Sequence, residues 1–234
     1  MAPPLQFLPR IMWKVFRLAP AALLAAALPA AAQSWSLGLG TGPFIFGKFA
    51  RRTQTLTNGE TTATTSSTLS AATRAGLSAD IGRDFNGWLG LRVGASWTEA
   101  PMRLKSTTGD NGVNIDAGKM RITTFTAPFV VSLNRHGAFR FDLLGGPAYA
   151  MYEIRRTTDT GASAPAFEGT RGRWGFVGGA AVNWWFSDRF AAEGKIEDIV
   201  TSSPFEKTDF ASTTGLRILR PQNVHTTVGL RLRF

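Results

Sequence analysis

Few residues in this chain have the types and spacing to do covalent chemistry. His136 and His225 are its two histidines, and cysteine is absent. Without cysteine there is no thiolate nucleophile, no thiolate metal ligand, no disulfide and no lipid attachment through an N-terminal cysteine. A histidine acting as general base needs a hydroxyl nucleophile and an orienting carboxylate within hydrogen-bond reach. His136 lies in the turn-forming run 134–137, where a polar turn residue is the plainer reading. His225 is followed by Thr226 and Thr227, and Asp209 and Ser212 lie in the polar segment before it. This spacing assembles no triad, so the expectation is a protein that is not an enzyme. Two histidines so placed make no metal site, and no acidic run has calcium-loop spacing, so neither metal nor cofactor is expected. Gly38, Gly40 and Gly42 alternate along a strand and open no helix, which sets them apart from a phosphate-binding loop.

Charge pairing is the chemistry the sequence does offer. The formal net charge is +10, spread among many segments rather than gathered in one run, which argues against nucleic-acid binding. Successive side chains in a strand point to opposite faces. Counted this way, Asp80, Arg92, Arg140, Asp142, Glu193, Lys195, Glu197 and Arg231 share the polar faces of their segments, as does Arg74, with Arg233 at a rim. A mixed set of this kind inside a narrow tube would act as an ion-paired plug. It would be either permanently closed or a gate that opens by exchanging partners.

The elements that must position these charges are eight segments with period-two patterning: residues 35–46, 71–81, 88–98, 121–133, 138–152, 173–186, 190–201 and 223–234. In the last, Val228, Leu230, Leu232 and Phe234 share one face, while Thr227, Gly229, Arg231 and Arg233 share the other. Each run is close to the ~10 residues that cross a bilayer as a tilted strand. Short connections (82–87, 134–137, 187–189) alternate with four long ones (47–70, 99–120, 153–172 and 202–222). The pattern predicts an all-β fold, an eight-stranded antiparallel up-and-down transmembrane β-barrel with an aqueous lumen. Aromatics at the strand ends predict two interfacial girdles. Trp35, Phe139, Phe141, Trp184, Phe186, Phe190 and Phe234 would form the periplasmic one; Phe44, Phe46, Trp97, Tyr149 and Trp174 would form the outer one. Asp198 shares parity with Ile196 and Val200, which would aim it at lipid, so it sits at the outer interface or a bulge turns it inward.

The N-terminus carries Arg10, Lys14 and Arg17 with no acid, then an Ala/Leu-rich core bracketed by Pro20 and Pro29, then Ala30, Ala31 and Ala32. This is the three-part pattern of a cleaved secretory signal peptide, and the core is shorter than the ~20 residues of a spanning helix. The expected division is a signal over residues 1–32 and one barrel domain over 33–234.

The export signal, eight strands, long outer connections and terminal Val-x-Leu-x-Leu-x-Phe together resemble the small eight-stranded outer-membrane barrels of the OmpA-transmembrane-domain and OmpX kind. The resemblance covers nearly all of the mature chain as a pattern. It implies that Val228, Leu230, Leu232 and Phe234 form the signal read by the barrel-assembly machinery. It also implies a bacterial outer-membrane location.

Arg51, Arg52, Arg155 and Arg156 fall just beyond the outer girdle, where they could pair with lipopolysaccharide phosphates or remain solvated. The Thr/Ser-rich tract 53–70 reads as a β-branched ribbon with a mobile tip. The leading expectation is a structural or adhesion-like surface barrel that meets an external ligand through its long connections. The alternatives are a narrow, low-conductance pore for small solutes and a lipid A-modifying enzyme. The last departs from the deacylase pattern, because no His-x-Ser pair is present.

Overall fold

The computed structural model describes residues 34–234 except 59, 60, 110, 135, 136 and 157–164, and omits the side chains at 56 and 61. The expected signal peptide and His136 therefore lie outside the described residues. Twelve strands are formed: β1 (Ser34–Phe46), β2 (Lys48–Asn58), β3 (Thr61–Ala71), β4 (Arg74–Asp84), β5 (Leu89–Thr108), β6 (Asn111–Thr126), β7 (Phe129–Ser132), β8 (Phe139–Arg155), β9 (Gly169–Trp185), β10 (Phe190–Thr201), β11 (Leu216–Ile218) and β12 (Gln222–Arg233).

The pairings run in a closed antiparallel circuit. β1 pairs β4, β4 pairs β5, and β5 pairs both β6 and β7, which pair β8 in turn. From β8 the circuit runs through β9, β10 and β12 and returns to β1. β6 and β7 are two pieces of one stave. Pro128 has no N–H to donate to a ladder, and the strand breaks there. Its carbonyl still accepts from the Arg92 amide at 3.0 Å, which holds the two pieces in line.

The short connections have local causes. In the turn after β4, Asn86 Oδ1 accepts from the amides of Trp88 and Leu89, and Gly87 takes a positive φ of 79°. In the turn before β8, Asn134 Oδ1 accepts from the Phe141 amide at 2.8 Å. Ser187 Oγ accepts from the Phe190 amide at 3.0 Å in the turn between β9 and β10.

Three of the four long connections hold more regular structure than the sequence suggested. β5 and β6 pair without a break from Gly94↔Thr126 out to Thr108↔Asn111, apart from a bulge at Met102/Arg103. β2 and β3 form a hairpin paired as far as Asn58↔Thr61, so the Thr/Ser tract is ribbon up to its described end. β11 pairs β2, and β3 pairs the outer part of β5. The result is a sheet β11-β2-β3-β5-β6 rising from one end of the barrel. Thr-rich strands support this, because β-branched side chains pack well on a pleated surface.

The barrel is inside-out in the way a lipid solvent demands. Leu39, Leu77, Phe176, Val228 and Leu230 are exposed on the outer surface, while Arg92, Glu193 and Arg231 are buried within. Closure depends on close strand approach at the β1–β12 seam. Gly40 and Gly229 face each other there, and a Cβ on Gly229 would collide with the Leu39 carbonyl oxygen. Gly229→Val is therefore expected to block the closing pair. The heat-modifiable folded form should be lost from membrane fractions on an unboiled gel, whereas Val228→Ala, on the lipid face, should leave it present.

Candidate functional site

The inward faces build two layers. The periplasmic layer is ionic. Arg231 donates to Glu193 at 2.8 and 3.1 Å, to Asp80 at 2.7 Å and to Ser36 at 2.9 Å. Arg92 bridges Glu193 at 3.0 Å and Asp142 at 2.7 Å. Asp142 also accepts from Arg140, Ser132 and Asn183. Arg140 continues the chain to Asp84 at 2.6 Å, and Lys195 lies 3.0 Å from Glu197 and 3.6 Å from Asp80. The strands impose this assembly, because the inward positions of β4, β5, β8, β10 and β12 stand at similar heights. Glu193 pairs in register with Gly229, and Asp80 with Gly38 and Gly94. Gly38 and Gly94 leave the space that the Arg231 and Asp80 side chains fill. A lone buried charge would cost several kcal/mol; mutual pairing and hydrogen bonding offset that here.

All eight parity-assigned residues, Asp80, Arg92, Arg140, Asp142, Glu193, Lys195, Glu197 and Arg231, thus stand in one connected network. Arg233 lies at its rim, stacked 3.8 Å over the Trp185 ring. Arg74 does not join; it is exposed at the outer end of β4. Below the network a vestibule of about 470 Å³ opens between Ser34, Asp84, Arg140, Trp185 and Asp188. It narrows to about 10 Å³ of residual space among Ser36, Arg92, Asp142 and Arg231.

The outer layer is apolar, which corrects the expectation of a watery lumen throughout. Phe44, Phe49, Met102, Met120, Ile122, Tyr152, Ile154, Val177, Ile199 and Phe205 form one buried cluster. Phe44 and Phe46 are part of it and do not belong to the outer girdle. They share parity with Gly38, Gly40 and Gly42, and it is Ile45 that faces lipid. Trp97 and Trp174 are exposed as a girdle requires, and the periplasmic belt keeps Phe139, Phe141, Trp184, Phe186, Phe190 and Phe234 exposed. Phe205 enters the cluster from the segment 202–222, packing edge-on against Phe49 at 5.9 Å. Two arginines of β9 fasten that segment. Arg171 forms a forked pair with Asp209 and donates to the Pro204 carbonyl, and Arg173 reaches Glu206 at 2.8 Å and the Ser203 carbonyl. This roof was not legible in advance, because its residues carry no strand periodicity.

His225 sits at the junction of the layers, fully buried and stacked on Phe44 at 4.8 Å. Neither ring nitrogen has a hydrogen-bond partner among the described residues. Asp209 is held by Arg171 instead, so no hydroxyl–imidazole–carboxylate relay is assembled. Among the described residues no three His, Asp or Glu side chains group to hold a metal ion. Asp198 stays on the outward side: β10 keeps an unbroken register with both neighbours, and Asp198 lies between Gly178 and Val224.

The four arginines beyond the girdle meet different fates. Arg51 is exposed on the outer face of the rising sheet, while Arg52 points the other way and donates to the Thr214 carbonyl. Arg155 pairs with Glu153 at 2.6 Å, in a cluster where Arg121 also reaches Glu153 and Glu99. Arg156 donates to the Ala166 carbonyl.

A comparison with curated proteins finds no match. Among solved structures, the outer membrane protein OprG from Pseudomonas aeruginosa is similar, with a TM-score of 0.59 at 11% identity over 87% of this chain and 96% of that one. Ail, the attachment invasion locus protein of Yersinia pestis, solved with the heparin analogue sucrose octasulfate, gives a TM-score of 0.42 at 12% identity over 87% of this chain and 99% of that one. The first of these likenesses speaks for the fold alone. The family model for the outer membrane protein beta-barrel domain matches residues 18–231, and with the closed circuit and lipid-facing exterior described above, the chain belongs to that family of bacterial outer-membrane barrels.

Proposed function

We propose that this protein is a non-conducting, non-catalytic outer-membrane barrel whose work is done at the cell surface, by the sheet it raises above the membrane. One observation carries the reading: the lumen is filled twice, by the ion network around Arg231 and by the apolar cluster around Tyr152 and Phe205. Eight staves leave an interior only wide enough for side chains, and here the side chains occupy it. The unpartnered ring of His225 supports the absence of hydrolytic chemistry. Deacylation of purified lipid A, compared between the wild type and His225→Ala, checks that part. The outward row Val228, Leu230, Leu232 and Phe234 on β12 is the element we assign to recognition by the barrel-assembly machinery. Residues 1–32 we assign to export.

Planar-bilayer recording tests the main claim. The wild type is expected to show no discrete conductance steps, and neither should Arg92→Ala nor Glu193→Ala, because the apolar layer still fills the tube above them. Steps in the wild type that vanish in either variant would overturn the reading and favour the narrow, gated pore.

A further inference from the structure

We infer that the outer face of the rising sheet is a docking strip for an extended polyanion from outside the cell, a sulfated polysaccharide chain. The inference deepens the surface-contact reading and rests on it. Register puts Arg217, Arg51, Thr68, Lys105 and Asn114 side by side across β11, β2, β3, β5 and β6. A second line nearer the membrane runs Lys48, Ser70, Arg103 and Asp116. Residues directly opposite in neighbouring strands share a face. Lys48, Arg51, Arg103, Lys105 and Arg217 are exposed. Among the described residues none of these five cations is in an ion pair, and Asp116 is the one carboxylate in the two lines. The opposite face of the same sheet is apolar: Ala50, Leu69, Leu104 and Leu216 are buried against the barrel's outer cluster. The cations are therefore held on a supported platform rather than on free loops.

Dimensions and charge pairing select the partner. Four strand spacings of ~4.8 Å make the strip about 19 Å wide, more than one phosphate group can engage. Lys105 lies eight residues beyond Trp97 on β5, which at ~3.3 Å per residue and a ~40° tilt is about 20 Å above the girdle. Nearer the girdle, Arg121 and Arg155 are already paired with Glu99 and Glu153. Those two cations are thus neutralised within the protein; Lys119 and Arg74, near the same level, are in no ion pair among the described residues, and the five cations of the strip stand above them. Guanidinium and ammonium groups in such rows suit sulfate esters repeated along a chain.

The test uses the folded protein in phosphatidylcholine vesicles with heparin fragments as probe, neutral dextran as control, and a second set of vesicles carrying lipopolysaccharide. The triple variant Arg51→Gln, Arg103→Gln, Lys105→Gln alters exposed side chains only, and its gel shift on heating reports that it has folded. The expected result is heparin binding that falls at least about tenfold in the variant and is abolished in about 1 M salt, where the screening length is about 3 Å. Dextran should not bind. Equal heparin binding by wild type and variant, or none by either, would overturn the inference. So would lipopolysaccharide competing through the same three residues while heparin does not bind, which would hand the strip to the membrane's own lipid. A barrel that conducts yet binds heparin through these residues would overturn the closed-lumen reading and leave the strip standing.

Discussion

Arg231→Met is expected to lower the unfolding free energy of the folded barrel by about 3–5 kcal/mol, the cost of stranding buried charges by removing one partner. Arg231 is 2% exposed and contacts Glu193, Asp80 and Ser36 together. Its ionic layer holds Arg92, Arg140, Lys195 and Arg231 against Asp80, Asp84, Asp142, Glu193 and Glu197. Taking one cation from a set already short of them leaves carboxylates that water cannot reach. Glu193→Gln is expected to cost less, since the amide oxygen still accepts and one negative charge is removed from the surplus. Denaturant midpoints of both variants in lipid vesicles measure the difference. A midpoint for Arg231→Met equal to the wild type would mean that the network contributes no stability.

The second large effect is expected at the roof. Phe205→Ala removes an aromatic ring buried against Phe49 and Phe210, a class of change that costs about 3–5 kcal/mol. Here the loss falls on the first half of the segment 202–222, which is otherwise fastened by Arg171 and Arg173, while the second half is held by the pairing of β11 with β2. Lys207 lies exposed in the single 3-10 turn of that segment, Lys207–Asp209. Trypsin is expected to cut after Lys207 many times faster in Phe205→Ala than in the wild type, while the heat-modifiable barrel persists. If cleavage is unchanged, Phe205 does not hold the roof down.

How much of this could be read from the sequence depended on periodicity. β10 was legible to the residue, because the run from Phe190 to Thr201 keeps its alternation through the single misfit at Asp198. The ion network followed from the same alternation, since parity puts Arg92 and Asp142 on the inward faces of β5 and β8, with one stave between them. Phe44 and Phe46 misled because an aromatic near a strand end suggests a girdle; counting from Gly38 would have turned them inward. The length of β5 and β6 was hidden because above the membrane only a few apolar residues, Met102 and Leu104 on β5 and Ala117 on β6, mark one face amid polar neighbours. The roof was hidden for another reason. Phe205 and Asp209 belong to no repeating pattern, and their partners on β2 and β9 are brought near only by closure of the barrel.

On the closed-lumen reading proposed above, each layer of the interior blocks passage without help from the other. Damage to the roof by an external protease, or variation of its sequence under pressure from outside, then leaves the envelope sealed by the charged floor. Conversely, a substitution in the floor is backed by a greasy stopper. A barrel closed in this double way could let its exterior diverge without becoming a leak.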